Sequence, residues 1–232
     1  MKFSKTVLAF VFAVIAYSAT AQTADDIVNN YVAAMGGAEK LTSLKTVKME
    51  GSMSTQGIDV PLTMTKKHLT GMRLDLDIMG TANFQLATPA KGWVFMPIMQ
   101  HTEPQEMDAE HLKSVQSQLD IQGALFNYKE KGYTLEIVGT EKVGGKDCHK
   151  LKIVRGGKEV LFFVDIASGL LLKTVSKVTA LGNEMEVATT YTDYRKNADG
   201  YMFAYSTTNT QGVITFDKIS TNLPVDDKLF TN

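Results

Sequence analysis

The residues of this chain that could do chemistry are few and scattered. Four histidines, His68, His101, His111 and His149, lie far apart, and no pair has the spacing that sets two metal ligands on one helix face. The one cysteine, Cys148, precedes His149 in a strand-like run, so their side chains point to opposite faces and cannot act as a pair. Its imperfect alternation with Leu151 and Ile153 reads as a buried small hydrophobe rather than a reactive thiol. Asp75 with Asp77, and Asp226 with Asp227, are paired carboxylates by sequence. The first pair occupies the polar face of a strand and the second a tail, and neither reads as a general acid/base pair. The chain contains no G-x-S-x-G, no phosphate-cradling glycine loop and no dinucleotide fingerprint. The expectation is a protein that is not an enzyme and holds no cofactor or metal.

The first residues speak to the compartment. Lys2 and Lys5 make a basic start, Val7 to Ala16 is almost unbroken apolar sequence, and Ala19-Thr20-Ala21 supplies the small-x-small pattern read by a signal peptidase. At roughly ten residues the apolar run is too short for a bilayer, which needs about 20. The reading is a signal peptide over 1–21 and a mature chain from Gln22, soluble after export, with no transmembrane segment. No cysteine follows the cut, so no lipid anchor is expected.

The chain carries 24 Lys and Arg against 25 Asp and Glu, and the balance becomes more acidic once Lys2 and Lys5 leave. That charge gives no reason to hold nucleic acid or an anionic membrane. A single cysteine rules out an internal disulfide, so the fold must rest on its core.

Two kinds of periodicity position these residues. Thr23 with Asp26 three residues on forms a capping-box-like pair, Ile27, Tyr31, Ala34 and Met35 share a helical face, and Gly36-Gly37 stops the run. A second short helix is expected over Ala38 to Ser43. From Leu44 the period falls to 2. Val47, Met49 and Met53, then Ile58, Val60, Leu62 and Met64, then Met72, Leu74, Leu76 and Ile78, each alternate with polar residues as one face of an antiparallel strand.

Ala82, Phe84 and Leu86 follow, and then Trp93 to Met96, apolar on both faces. The polar segment from Glu103 to Leu119 has helical spacing at Met107, Leu112, Val115 and Leu119, and predicts a helix lying across the sheet. Seven strands of about ten residues follow in a meander. Glycine-containing pairs between them, Gly182-Asn183 included, supply the positive φ of hairpin turns. The run Val160 to Val164 predicts a strand covered on both faces. The fold class is α+β, with a strongly curved antiparallel sheet in a single domain over 22–232.

The kind of hydrophobe is the more informative feature. Of twelve methionines, Met49, Met53, Met64, Met72, Met79 and Met96 crowd the first five strands. Methionine is flexible and polarisable and suits a surface that adapts to varied apolar ligands. Such residues also serve in ordinary core packing, and both readings stand. If a cavity exists, its candidate ligand-binding residues are Met49, Met53, Leu62, Met64, Leu74, Leu76, Phe84, Trp93, Phe95 and Phe162.

Several stretches together carry a family resemblance. They are Tyr31-Val-Ala-Ala-Met-Gly-Gly-Ala-Glu-Lys-Leu41, Gly92-Trp-Val-Phe-Met-Pro97, Asp120-Ile-Gln-Gly-Ala-Leu-Phe-Asn-Tyr128, Phe163-Val-Asp-Ile-Ala-Ser-Gly169 and Pro224-Val-Asp-Asp-Lys-Leu-Phe230. The whole resembles periplasmic outer-membrane lipoprotein-sorting (LolA/LolB-like) proteins. The resemblance implies an incomplete antiparallel β-barrel, here of about 11 strands, wrapped on a few helices with an apolar cavity between them. It also implies a carrier that holds lipid or lipoprotein acyl chains without catalysis. Lipoprotein carriers keep an arginine near the start of the third strand. Here Lys66, Lys67 and Arg73 occupy that stretch, and none stands at the matching position. The competing reading is a non-catalytic module with a filled core that docks a cell-envelope protein partner.

Overall fold

The computed structural model describes residues 22–180 and 183–232. The expected signal segment, its cleavage site and Gly182 of the Gly182-Asn183 turn lie outside them. The chain opens with α1 (Ala24–Ala34) and α2 (Ala38–Ser43), followed by β1 (Thr46–Thr55), β2 (Ile58–Lys67), β3 (Gly71–Ile78), β4 (Thr81–Ala87), β5 (Gly92–Phe95) and the short β6 (Gln105–Glu106). Next come α3 (Ala109–Gln116) and the meander β7 (Thr134–Val143), β8 (Lys146–Arg155), β9 (Lys158–Asp165), β10 (Leu171–Ala180), β11 (Asn183–Lys196), β12 (Met202–Asn209) and β13 (Gly212–Thr221). Single 3-10 turns occupy Pro97–Met99 and Asp227–Phe230.

All strands join one antiparallel sheet in the order β6-β5-β4-β3-β2-β1-β13-β12-β11-β10-β9-β8-β7, which does not close into a barrel. Among the described residues the strands number thirteen rather than about 11. Part of the polar segment expected to be helical pairs instead with β5, through Trp93 opposite Glu106 and Val94 opposite Gln105. The helix is correspondingly shorter than 103–119. It starts where the Asp108 carboxylate accepts the His111 amide and ends at Gln116. At the other end of the chain order, α1 begins with the capping box of Thr23 and Asp26 that its sequence predicts.

The two meanders meet along one seam, β1 against β13. The register shifts there between Glu50 and Gly51. A Cβ on Gly51 would stand 2.0 Å from the Thr215 carbonyl oxygen, so only glycine lets the two backbones approach that closely.

Antiparallel partners share a face, so the register sorts every strand residue. Val47, Met49 and Met53 of β1 lie with Lys66, Met64 and Val60 of β2, and these with Met72, Leu74 and Leu76 of β3. On the other side of the seam the same face runs through Ile214, Thr207 and Tyr191 to Thr174 and Phe162. The helices cover this inner face. Ile27, Val28 and Tyr31 of α1 pack with Leu151, Ile153 and Phe162, while Met107, Val115 and Leu119 of the α3 region pack with Met72 and Ala87. Between these groups, Val47, Val60, Leu62 and Leu76 join Leu44, Tyr201, Tyr205, Phe216 and Ile219.

The C-terminal tail fastens to the outer face. Lys67 Nζ lies 2.6 Å from the Asp227 carboxylate, and Phe230 is 1% exposed against Gly71, where a Cβ would fall 2.4 Å from its ring. Removing a buried Phe ring costs about 3–5 kcal/mol. Phe230→Ala is therefore expected to lower unfolding free energy by that amount in urea denaturation. A loss below about 1 kcal/mol would show that the tail is not part of the core.

Candidate functional site

The inner face of β1–β3 is the part of the fold on which the expected ligand-binding residues converge. Met49, Met64 and Leu74 stand directly opposite one another, as do Leu62 and Leu76, with Met53 opposite Val60. Leu62 and Leu76 are buried, at 5% and 8% exposure. Met49, Met53, Met64 and Leu74 share their face yet keep part of their surface accessible. Phe162 is on the same face but in a different group, packed with α1 at the far side of the sheet.

Phe84, Trp93 and Phe95 do not join them. Phe84 stands opposite Asp75 and Phe95, and Trp93 opposite Leu86, which itself faces Arg73. All of these belong to the outer face, so the expectation that the three aromatics line the same surface as the methionines is corrected by the register. Outside, they build a different feature. The Phe84 and Phe95 rings lie 5.5 Å apart, and the Arg73 guanidinium stacks 4.3 Å from the Phe84 ring, held by the Asp75 carboxylate at 2.8 Å. Pro61 and Thr63 complete a cleft of about 470 Å³. A second cleft, of about 500 Å³ and polar, lies among Glu39, Lys40, Ser43, Asp199, Tyr201 and Asn222.

One residue that the sequence reading weighed only against the family arginine lies on the inner face. Lys66 stands between Val47 and Met72, both apolar and 2% exposed. Burial pulls its ammonium down to about 8. The signal was parity, since Leu62, Met64 and Lys66 alternate on one side of β2.

Several of the remaining candidates for chemistry have structural roles. Cys148 is fully buried, burial pushes its thiol up, and its partner is the Lys146 carbonyl at 3.6 Å. His101 Nδ1 accepts the Met96 amide at 3.3 Å, and His111 is exposed on α3. His68 sits 3.8 Å from Asp120, which Lys131 holds at 2.6 Å, and burial lowers its pKa. Asp226 caps the final turn through the Lys228 amide. Among the described residues, no group of three or more His, Cys, Asp or Glu side chains is placed to hold a metal ion, and no helix is long and apolar enough to cross a membrane.

This architecture recurs in solved structures of low sequence identity. A LolA superfamily protein from Nitrosomonas europaea shares 15% identity at a TM-score of 0.57, covering 91% of this chain and 99% of that one. A DUF1329 family protein from Desulfovibrio piger shares 14% identity at a TM-score of 0.60, over 89% and 96% of the two chains. A putative outer membrane lipoprotein-sorting protein domain from Vibrio parahaemolyticus shares 16% identity at 0.54, over 90% and 97%. No family model matches the sequence, and no curated protein does. The likeness is one of fold: this chain has the open, curved α+β architecture of LolA-like proteins.

The outward placement of the only tryptophan is directly observable. Because Trp93 is partly exposed on the outer face, iodide should quench its emission readily in the native protein. Emission unaffected by iodide until the protein is unfolded would place the ring inside and overturn the assignment of faces.

Proposed function

We propose that the protein is an exported, periplasmic carrier or binding protein that holds an acyl chain between the inner face of β1–β3 and the helices. The observation that carries this reading is the partial accessibility of Met49, Met53, Met64 and Leu74 on a face that points inward. Side chains that face a core and yet retain surface mark incomplete packing. Here the residues concerned are chiefly methionines, which rearrange at low cost. The sheet is open, with β6 and β7 as its free edges, so the inner face has no continuous wall to keep a chain out. The family resemblance and the shared fold of the lipoprotein-sorting domain from Vibrio parahaemolyticus support the same reading. Phe84, Trp93 and Phe95 take no part in it.

The energetics are adequate without polar contacts. Each buried CH2 contributes about 0.8 kcal/mol, so a chain of medium length is held by apolar burial alone. Removing room for three methylenes would cost about 2.4 kcal/mol, a weakening of roughly 50-fold.

A second reading is favoured by one feature. Edge strand β7 leaves Ile137 and Val138 exposed, at 37% and 39%, beside unpaired backbone groups, which suits docking of a protein strand.

Titration with a fluorescent long-chain fatty acid separates the two. The carrier reading predicts saturable binding at micromolar concentration. Met64→Trp, which fills the inner face, should weaken it by roughly 50-fold, and outer-face Phe84→Ala should leave it unchanged. Absence of saturable binding, or equal loss in both variants with the fold intact, contradicts the carrier reading.

A further inference from the structure

The inner face of β1–β3 contains one charge, that of Lys66. Lys66 is flanked across the sheet by Val47 and Met72, and the row continues to Thr221 on one side and to Ala87 and Gly92 on the other. Val47, Met72 and Ala87 are essentially closed to solvent, whereas Lys66 keeps part of its surface accessible. The next row is Met49, Met64 and Leu74, the accessible apolar patch itself. The lysine therefore stands at the end of that patch, one row from the residues proposed to hold an acyl chain.

It has no partner there. Lys66 makes no hydrogen bond or ion pair among the described residues, unlike Lys67 next to it, which reaches Asp227 on the outer face. Burial alone pulls its ammonium down to about 8, with no carboxylate near enough to offset it. At neutral pH the group is still mostly protonated, an unpaired cation among apolar side chains. A buried charge without a counter-charge is unfavourable, and an apolar residue of the same length would serve packing better. A lysine in this position gains most from an anion delivered with the ligand, since a charge-assisted hydrogen bond in low dielectric is about twice as strong as a neutral one.

We infer that Lys66 is a headgroup anchor, making the preferred cargo an acyl chain that ends in an anion, a carboxylate or a phosphate, rather than a neutral lipid. This rests on the carrier reading and narrows it. The chain lies along Met49, Met64 and Leu74, and its charged end pairs with Lys66 Nζ at the next row of the same face. Lys66 takes part in binding only, and no bond is made or broken.

Displacement of the fluorescent fatty acid by three ligands of equal chain length tests the inference: palmitate, hexadecanol and palmitoyl lysophosphatidic acid. The wild-type protein should prefer palmitate, the lysophosphatidic acid or both over hexadecanol by about ten-fold or more, the scale of a hydrogen bond to a charged group. A carboxylate preference identifies free fatty acid, and a phosphate preference identifies a phospholipid-type head. Lys66→Met should remove the preference while leaving hexadecanol affinity unchanged, and Lys66→Arg should retain it. Thermal unfolding verifies the fold of both variants, and Lys66→Met is expected to melt at or above the wild-type temperature because a buried charge is gone. If hexadecanol binds as well as the anions, or Lys66→Met keeps the preference, the anchor is refuted and the carrier stands. If no ligand displaces the probe because the probe itself does not bind, the carrier reading falls and the anchor falls with it.

Discussion

The fold depends on one seam. Two meanders, β6 to β1 and β13 to β7, would be separate sheets if β1 did not pair with both β2 and β13. Joined there, they give a sheet wide enough to wrap on three helices, yet among the described residues the outer edges of β6 and β7 stay unpaired. The seam rests on the Gly51 position, where the Thr215 carbonyl occupies space that any side chain would need. A single inner face follows from this joint, because the parity set at Met53 and Ile214 is handed from strand to strand on both sides. Apolar burial along that face holds the fold without a disulfide, since Cys148 is alone and buried.

An open sheet must cover its apolar interior with something. Here α1 covers the β8–β9 side and α3 the β3–β5 side, and between them the face of β1–β3, where methionines are concentrated, packs with Leu44, Tyr201 and Tyr205. That division explains why residues beneath α1, such as Leu151 and Ile153, are aliphatic and fully closed, while Met49, Met53 and Met64 remain accessible. Rigid packing fixes the frame, and adaptable side chains stand where part of their surface stays accessible.

The elements were legible because each announces itself locally. Thr23 and Asp26 declared the first helix, and period-2 alternation declared the strands, including the two-faced run at 160–164. What failed was the transfer of face from one strand to the next. Leu74 and Leu76 were grouped with Phe84 because all are apolar, but the tight turn at Met79-Gly80, both with positive φ, puts Ile78 opposite Thr81 and therefore Asp75 opposite Phe84. The turn was visible in the sequence, and counting outward from it would have sent the aromatics to the outer face. Lys66 was weighed only as a stand-in for the family arginine and not placed on a face, although its parity with Leu62 and Met64 already put it inside. The strand formed by Gln105 and Glu106 gave no such signal, because two polar residues pair with β5 through backbone alone.

The central claim is that the inner face of β1–β3 holds an acyl chain in the protein as cells make it. Native mass spectrometry of the protein purified without detergent from its own host, with organic extraction of the same sample, measures this directly. The account predicts a discrete added mass that the extract identifies as a lipid with an acyl chain. A bare protein mass that also stays unchanged after incubation with added acyl chains would mean that the methionine face is simply packed core, and would contradict it.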